Sequence, residues 1–190
     1  MTNPWPNLFV LKEFLEPSLR DAIVAEMKAA AGNAATVYGS SVSGTIDESV
    51  RRTFRVKPSN ETVALVIQKL LECKAAIEKH FAVTLAECED PQFLRYREGD
   101  FFVAHQDGNT GLLRLETEQR LISTVIFLSR ESEPPEPGSY SGGSLVFSNL
   151  RERFRISAES GMLVAFRSET THEVTPVTHG ERYSIASWYR

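Results

Sequence analysis

The apolar positions of this chain follow two different periods. In "PSLRDAIVAEMKAA", residues 17–30, Leu19, Ile23 and Met27 recur four apart, the spacing of one helix face. Ser18 followed by Asp21 reads as a capping-box-like start. A second helix is predicted after Asn60, in "ETVALVIQKLLECKAAIEKHF", where Val63, Ile67, Leu70, Ile77 and Phe81 keep a helical period. Between the two, "GNAATVYGSSVSGTIDES" is rich in Gly, Ser and Thr and reads as a loop. From Gln92 onward the pattern changes to short apolar runs: "FLRY", "DFFVAHQ", "LISTVIFLS", "SLVFS", "MLVAF", "HEVTPV" and "RYSIASWYR". Turn-forming stretches separate them, among them "REGD", "DGNTG", "ESEPPEPGSYSGG" and "ESG". Many short strands without intervening helices predict an all-β sandwich or barrel, buttressed from outside by the two helices. "DFFVAHQ" itself reads as a buried strand.

Composition narrows the class. With 190 residues, 42% of them hydrophobic, the chain can bury a sizeable core as a single domain. The net charge is −4 with no long run of one sign, which argues against a nucleic-acid partner. Two cysteines, Cys73 and Cys88, form no CxxC and no disulfide framework, and point to a reducing compartment. The opening "MTNPWPNLFVLKEFLEPSL" has no basic segment followed by an apolar one, and no segment is long enough to span a bilayer, so a cytoplasmic, non-membrane protein is expected.

The candidate chemistry lies at the end of one strand. Residues two apart on a strand point the same way, so Phe101, Val103, His105 and Asp107 are expected on one face, with Gln106 turned away. His105 and Asp107 then offer a nitrogen and an oxygen to one point. An HxD pair alone is more often a surface loop or a hydrogen-bonded pair than a metal site. A third ligand is supplied by His172, 67 residues later, at the head of a predicted strand. His80 closes a helix and His179 sits in a turn, both in positions open to solvent. Two histidines and one carboxylate make the facial triad of non-heme Fe(II) oxygenases, with coordination positions left open.

"ERYSIASWYR" places Arg182, Ser184, Ala186 and Trp188 on one face and Tyr183, Ile185, Ser187 and Tyr189 on the other. If the first face lines a barrel interior, Arg182 needs an anion, and a ligand carboxylate fits its fork, with Ser184 adding a hydroxyl. The competing reading is an arginine on an exposed edge strand paired with a nearby glutamate.

The ordered set His105-x-Asp107, His172, Arg182, Ser184 and Trp188 resembles the Fe(II)/2-oxoglutarate-dependent dioxygenases, and more narrowly their prolyl 4-hydroxylase-like branch. "FLRYREGDFFVAHQDG", "YSGGSLVFS" and "GMLVAFRSETTHEVTPVTHGERYSIASWYR" carry the resemblance; "NLFVLKEFLEPS" and "SVRRTFRV" are similar to that branch's N-terminal elements. Many collagen-type prolyl 4-hydroxylases have Lys where this chain has Arg182; the Arg resembles the oxygen-sensing prolyl hydroxylases and many bacterial relatives. The resemblance implies a mainly β (α+β) fold, a double-stranded β-helix or jelly-roll barrel buttressed by N-terminal helices. It implies a single domain over residues 1–190, with 1–90 as helical support and lid and 91–190 as the catalytic core.

It also implies Fe(II), held by His105, Asp107 and His172, with 2-oxoglutarate and O₂ as cosubstrates and ascorbate as an optional reductant. Arg182 and Ser184 would hold the distal carboxylate of 2-oxoglutarate, Tyr96 would donate a further hydrogen bond, and Trp188 would exclude water. Plain core packing is an equal reading for Tyr96 and Trp188. The expected reaction is hydroxylation of a prolyl residue in a protein or peptide, coupled to decarboxylation of 2-oxoglutarate. A free amino acid or other small molecule is the alternative substrate. A non-catalytic jelly-roll metal-binding module and a cupin-like protein using another metal are the alternatives of other classes. Substrate choice is expected from two polar loops at the barrel mouth, "GNTGLLRLETEQR" and "ATVYGSSVSGTIDESVRR". The oligomeric state is left open.

Overall fold

The computed structural model describes residues 7–36, 46–108, 120–149 and 152–190. Both expected helices form. α1 spans Pro17–Ala29 and α2 spans Asn60–Phe81. The capping-box-like start is not used. Glu16 occupies the N-cap of α1 without a side-chain cap, and Pro17 opens the helix, where its missing N–H costs nothing. α2 begins with a working cap, because Ser59 Oγ accepts from the Thr62 amide. Its buried stripe is Val66, Leu70, Cys73, Ile77 and Phe81. Val63 and Ile67 are only half-buried, since the sheet contact follows the 66–70–73–77–81 line rather than the neighbouring one.

Fourteen strands are described, and all seven predicted runs are strands. The first four precede the β-rich part: β1 (Phe9–Leu11), β2 (Gly32–Ala34), β3 (Arg51–Arg52) and β4 (Phe54–Val56). Each is two or three residues long, too short to show a period. The remainder are β5 (Gln92–Tyr96), β6 (Phe101–His105), β7 (Ile122–Phe127), β8 (Ser141–Gly142), β9 (Leu145–Ser148), β10 (Arg153–Arg155), β11 (Leu163–Arg167), β12 (His172–Val174), β13 (Val177–His179) and β14 (Arg182–Tyr189).

They form a seven-stranded sheet in the order β1-β11-β7-β14-β5-β4-β2, a five-stranded sheet in the order β10-β9-β12-β6-β3, and a β13-β8 ribbon. Every pairing between these strands is antiparallel. The architecture is the jelly-roll type expected from the sequence. Strands β1 to β4 join both sheets, so the N-terminal segment contributes sheet edges as well as helices.

The helices cover the outer face of the large sheet. Ile23, Met27, Leu70 and Ile77 pack there against Ile122, Ile126, Leu163 and Ile185, all buried. Each such side chain removed from water stabilises by roughly 1.5–3 kcal/mol. Tyr189 Oη donates to the Leu70 carbonyl at 2.6 Å and so ties β14 to α2. The next residues along the strands point inward. Phe127, Val164 and Phe166 meet Leu145 and Phe147 of the small sheet to close one end of the interior. Among the described residues no helix packs on the outer face of the small sheet, so the buried strand expected at 101–105 is half-exposed, with Val103 37% accessible. The two predicted mouth loops fall largely on 37–45 and 109–119, outside the described residues. No helix among the described residues is long and apolar enough to cross a membrane.

Candidate active site

A cavity of about 170 Å³ lies between the two sheets. It is lined by all seven side chains singled out above: His105, Asp107, His172, Arg182, Ser184, Tyr96 and Trp188.

Register explains how the first three meet. On β12, His172 and Val174 are two apart and share the inward face. Their partners on β6 are His105 and Phe102, three apart. The extra residue is a β-bulge, which reverses the phase of the strand. Phe102 and His105 therefore both face the cavity, whereas strict alternation placed Phe101 and Val103 beside His105. The two rings stack, with centroids 3.6 Å apart.

Asp107 lies beyond the end of β6. The amides of Asp107 and Gly108 both donate to the Ser168 carbonyl, at 3.0 and 2.9 Å. A Cβ on Gly108 would come within 2.8 Å of the Arg120 carbonyl, so this chain crossing needs glycine. Gln106 does not turn away as expected. It lines the cavity, and its amide donates to Thr171 Oγ1 at 3.2 Å.

The potential ligand atoms of His105, Asp107 and His172 lie within 4.8 Å of one another. Nε2 of His105 is 3.4 Å from Asp107 Oδ1, and Nε2 of His172 is 3.5 Å from Oδ2. Each imidazole is oriented from behind. Nδ1 of His105 is 2.8 Å from the Val103 carbonyl, and Nδ1 of His172 is 2.9 Å from the Thr170 carbonyl. A carbonyl only accepts, so Nδ1 carries the proton in both rings and each Nε2 presents a lone pair.

Burial pushes the Asp107 carboxyl up, but the positive charge that His172 and His105 carry when protonated outweighs it and holds the acid well below the usual carboxylate range. Ser123 Oγ adds a 2.8 Å hydrogen bond to Oδ2. Burial pushes the His172 imidazole below its ordinary value, against the pull of Asp107, and favours its neutral form. Two neutral imidazoles and one carboxylate, with lone pairs converging and N–H groups turned out, fit a divalent metal of the Fe(II) type.

The second half of the cavity is cationic. β14 keeps unbroken ladders to β5 and β7, so its alternation holds, and Arg182, Ser184, Ala186 and Trp188 all line the cavity. Arg182 is 1% exposed. It sits between the rings of Tyr96 and Phe127, at 5.0 and 5.3 Å, and donates to Ser184 Oγ at 2.7 Å. Its Nε is buried without a partner, and among the described residues no carboxylate lies within ion-pair distance of it. A buried guanidinium in this state calls for an anion.

Two neighbours were not apparent from sequence. Tyr140, fully buried, also has an unpartnered hydroxyl. Burial pushes that hydroxyl up to about 12, against the opposing charge of Arg182, so it remains a neutral donor. Gly143, at φ +56°, admits both residues; a Cβ there would meet Val177 Cγ2 at 2.8 Å and Arg182 Cδ at 3.1 Å. The only signal was the "YSGG" hairpin, which names a turn and not a pocket. Trp188 is stacked under the Arg120 guanidinium at 3.7 Å, and Arg120 is clamped by Glu89 through two hydrogen bonds of 2.9 and 2.7 Å.

Comparison with known proteins agrees with this geometry. The profile of the 2OG-Fe(II) oxygenase superfamily matches residues 91–190, and the chain belongs to that superfamily, whose members use Fe(II), 2-oxoglutarate and O₂. A PKHD-type hydroxylase of Shewanella sp. (strain ANA-3) is 31% identical over 159 residues, covering 80% of this chain. The chain spans 66% of that relative's length. Among solved structures, a prolyl-4-hydroxylase of Pseudomonas putida matches with a TM-score of 0.75 at 24% identity, covering 97% of this chain and 93% of that one. A Trichoplax adhaerens prolyl hydroxylase, in complex with a hypoxia inducible factor oxygen degradation domain peptide fragment, matches with a TM-score of 0.72 at 15% identity, covering 97% and 83%. At these identities the structural likeness is one of fold.

Proposed function

We propose that the protein is a Fe(II)- and 2-oxoglutarate-dependent hydroxylase, with a prolyl residue in a peptide or protein as its substrate. The observation that carries the reading is a fully buried Arg182 that no carboxylate among the described residues pairs with, in the same cavity as a converging His105–Asp107–His172 set. A metal-binding jelly roll of another kind has no need of that cation. When bound, Fe(II) and 2-oxoglutarate supply the chemistry: O₂ oxidises the 2-oxo acid to succinate and CO₂, and its other oxygen atom enters a substrate C–H bond.

The chain's own residues bind and orient. His105, Asp107 and His172 hold the metal through Nε2, a carboxylate oxygen and Nε2. The carbonyls of Val103 and Thr170 fix both rings, and Ser123 fixes the carboxylate. Arg182, with the hydroxyls of Ser184 and Tyr140, takes the distal carboxylate of 2-oxoglutarate and sets its direction in the cavity. Tyr96 braces the guanidinium through its ring face. Leu94, Val174, Ala186 and Trp188 give the walls an apolar lining that excludes water. The name of the Shewanella relative supports a hydroxylase, and the peptide bound to the Trichoplax adhaerens enzyme supports a peptide substrate.

The test is anaerobic addition of Fe(II) and 2-oxoglutarate. A weak visible charge-transfer band should appear, and succinate should form when O₂ is admitted. No band and no succinate would remove the enzyme reading.

A further inference from the structure

The cavity holds a second buried cation, on the opposite sheet from Arg182. β3 is the edge strand of the small sheet, and its two residues pair with β6 as Arg51 with Phe102 and Arg52 with Phe101. Cross-strand partners share a face. Arg52 and Phe101 therefore face outward together, and Arg51 follows Phe102 into the cavity. There the Arg51 guanidinium lies 4.7 Å from the Phe102 ring, which itself stacks on His105. Arg51 is 9% exposed. Its Nη1 donates to the Thr36 carbonyl at a long 3.3 Å, and its Nε is buried with no partner. Glu48 pairs with Arg52, and among the described residues no carboxylate lies within ion-pair distance of Arg51. A cation kept out of water in this way, with donors unused and a cavity in front of it, is built for a ligand oxygen.

We infer that Arg51 recognises the substrate, taking a main-chain carboxyl-type oxygen of the residue to be hydroxylated. This rests on the reading of the cavity as a hydroxylase site. Arg182 is committed to the cosubstrate from β14, and the metal ligands lie on β6 and β12 and just beyond β6. Arg51 approaches from the metal side, in line with Phe102 and His105, and among the described residues it has no carboxylate partner. The same fork accepts a peptide carbonyl or the carboxylate of a free amino acid. Arg51 therefore serves either substrate class, and the choice between them is read from which probe responds.

The experiment uses the full chain loaded anaerobically with Fe(II) and 2-oxoglutarate, and two probes. N-acetyl-glycyl-prolyl-glycinamide offers carbonyls only; free L-proline offers a carboxylate. Probe binding is read from the shift of the visible band, and turnover from probe-dependent succinate. One probe should bind the wild type saturably. Arg51→Gln should weaken that binding and raise its KM by about 10- to 100-fold, the loss of a charged hydrogen bond. Arg51→Lys, which keeps the charge without the fork, should recover part of the loss. Affinities for Fe(II) and 2-oxoglutarate should stay as in the wild type. Response to the tripeptide assigns a peptide carbonyl, and response to proline a free carboxylate.

Three results overturn the inference: unchanged probe affinity in Arg51→Gln, no saturable binding of either probe to the wild type, or a parallel loss of Fe(II) affinity. The last would mean that Arg51 acts on His105 through Phe102. A wild type without the band and without uncoupled succinate would instead remove the hydroxylase reading beneath it.

Discussion

β14 and β6 belong to different sheets, line one cavity, and place their side chains by different means. β14 has eight residues, lies between β5 and β7, and keeps continuous register on both sides. Its outer face is packed by helices, and its inner face presents Arg182, Ser184, Ala186 and Trp188 in strict alternation. β6 has five residues, a bulged ladder to β12 on one side and a two-residue edge strand on the other. Among the described residues no helix covers it. A strand locked on both edges holds a fixed wall. A strand free to bulge can bring two consecutive inward residues, Phe102 and His105, to bear on one point, at the cost of a regular ladder. The cationic end of the cavity, at Arg182, stands on the first kind of wall and the His105–Asp107 part of the other end on the second.

Substitutions among His105, Asp107 and His172 should be the most damaging. His172→Ala should lower Fe(II) affinity by more than about 100-fold, since even groups that only orient a ligand are worth 10- to 100-fold. Equilibrium dialysis with Mn(II) as a redox-inert stand-in measures it; a fall of a few-fold would show that His172 is not a ligand. Arg182→Ala tests the opposite wall. It should weaken 2-oxoglutarate binding by about 100-fold, as expected for loss of a charge-assisted pair, and leave metal affinity alone. Titration of the chelate band with each component separates the two, and equal losses would mean that Arg182 serves the wall and not the ligand.

Stability should divide the same way. Ile185, fully buried between β14 and the helices, should cost about 2–5 kcal/mol when truncated to Ala. Val103, 37% exposed on β6, should cost less than about 0.5 kcal/mol. Urea midpoints of the two variants give the contrast, and similar shifts would mean that the outer face of the small sheet is covered in solution.

The smallest effect concerns the brace behind Trp188. Burial pushes the Glu89 carboxyl up, but Arg120 and Arg190 outweigh it and hold it below its ordinary value. A lowered carboxyl contributes stability at pH above its unfolded value and loses it as pH falls through the folded value. Glu89→Gln should therefore melt below the wild type at neutral pH, by about 1 kcal/mol, and the gap should close in acid. A gap independent of pH would assign the effect to packing.

Much of this arrangement was legible in advance because it is periodic. Both helices, the seven strand runs and the inward face of β14 follow from spacings of 3.6 and 2 that long elements enforce on their own. The inward set on β6 was misjudged at Phe101, Val103 and Gln106 because a bulge is set by the partner strand and leaves no trace in local alternation. α2 shows a milder case, in which Val66 and Cys73 are buried while Val63 and Ile67 are only half-buried. A stripe's width is local, but the line along which it docks is chosen by the surface opposite.

The sequence by itself determined the order of the two helices and the seven longer strand runs, the two periods and the residue types capable of chemistry: three potential ligands and an arginine on a strand. Tertiary structure alone decided which of them share a space. Arg51 falls in a predicted polar loop and Tyr140 in a turn-forming stretch, and nothing within a few residues of either is unusual. Their burial, and the donors left unused by it, arise from β3 pairing with Phe102 and from Gly143 letting Tyr140 and Arg182 close on each other. Register and close approach are properties of two segments at once, and no single stretch of chain contains them.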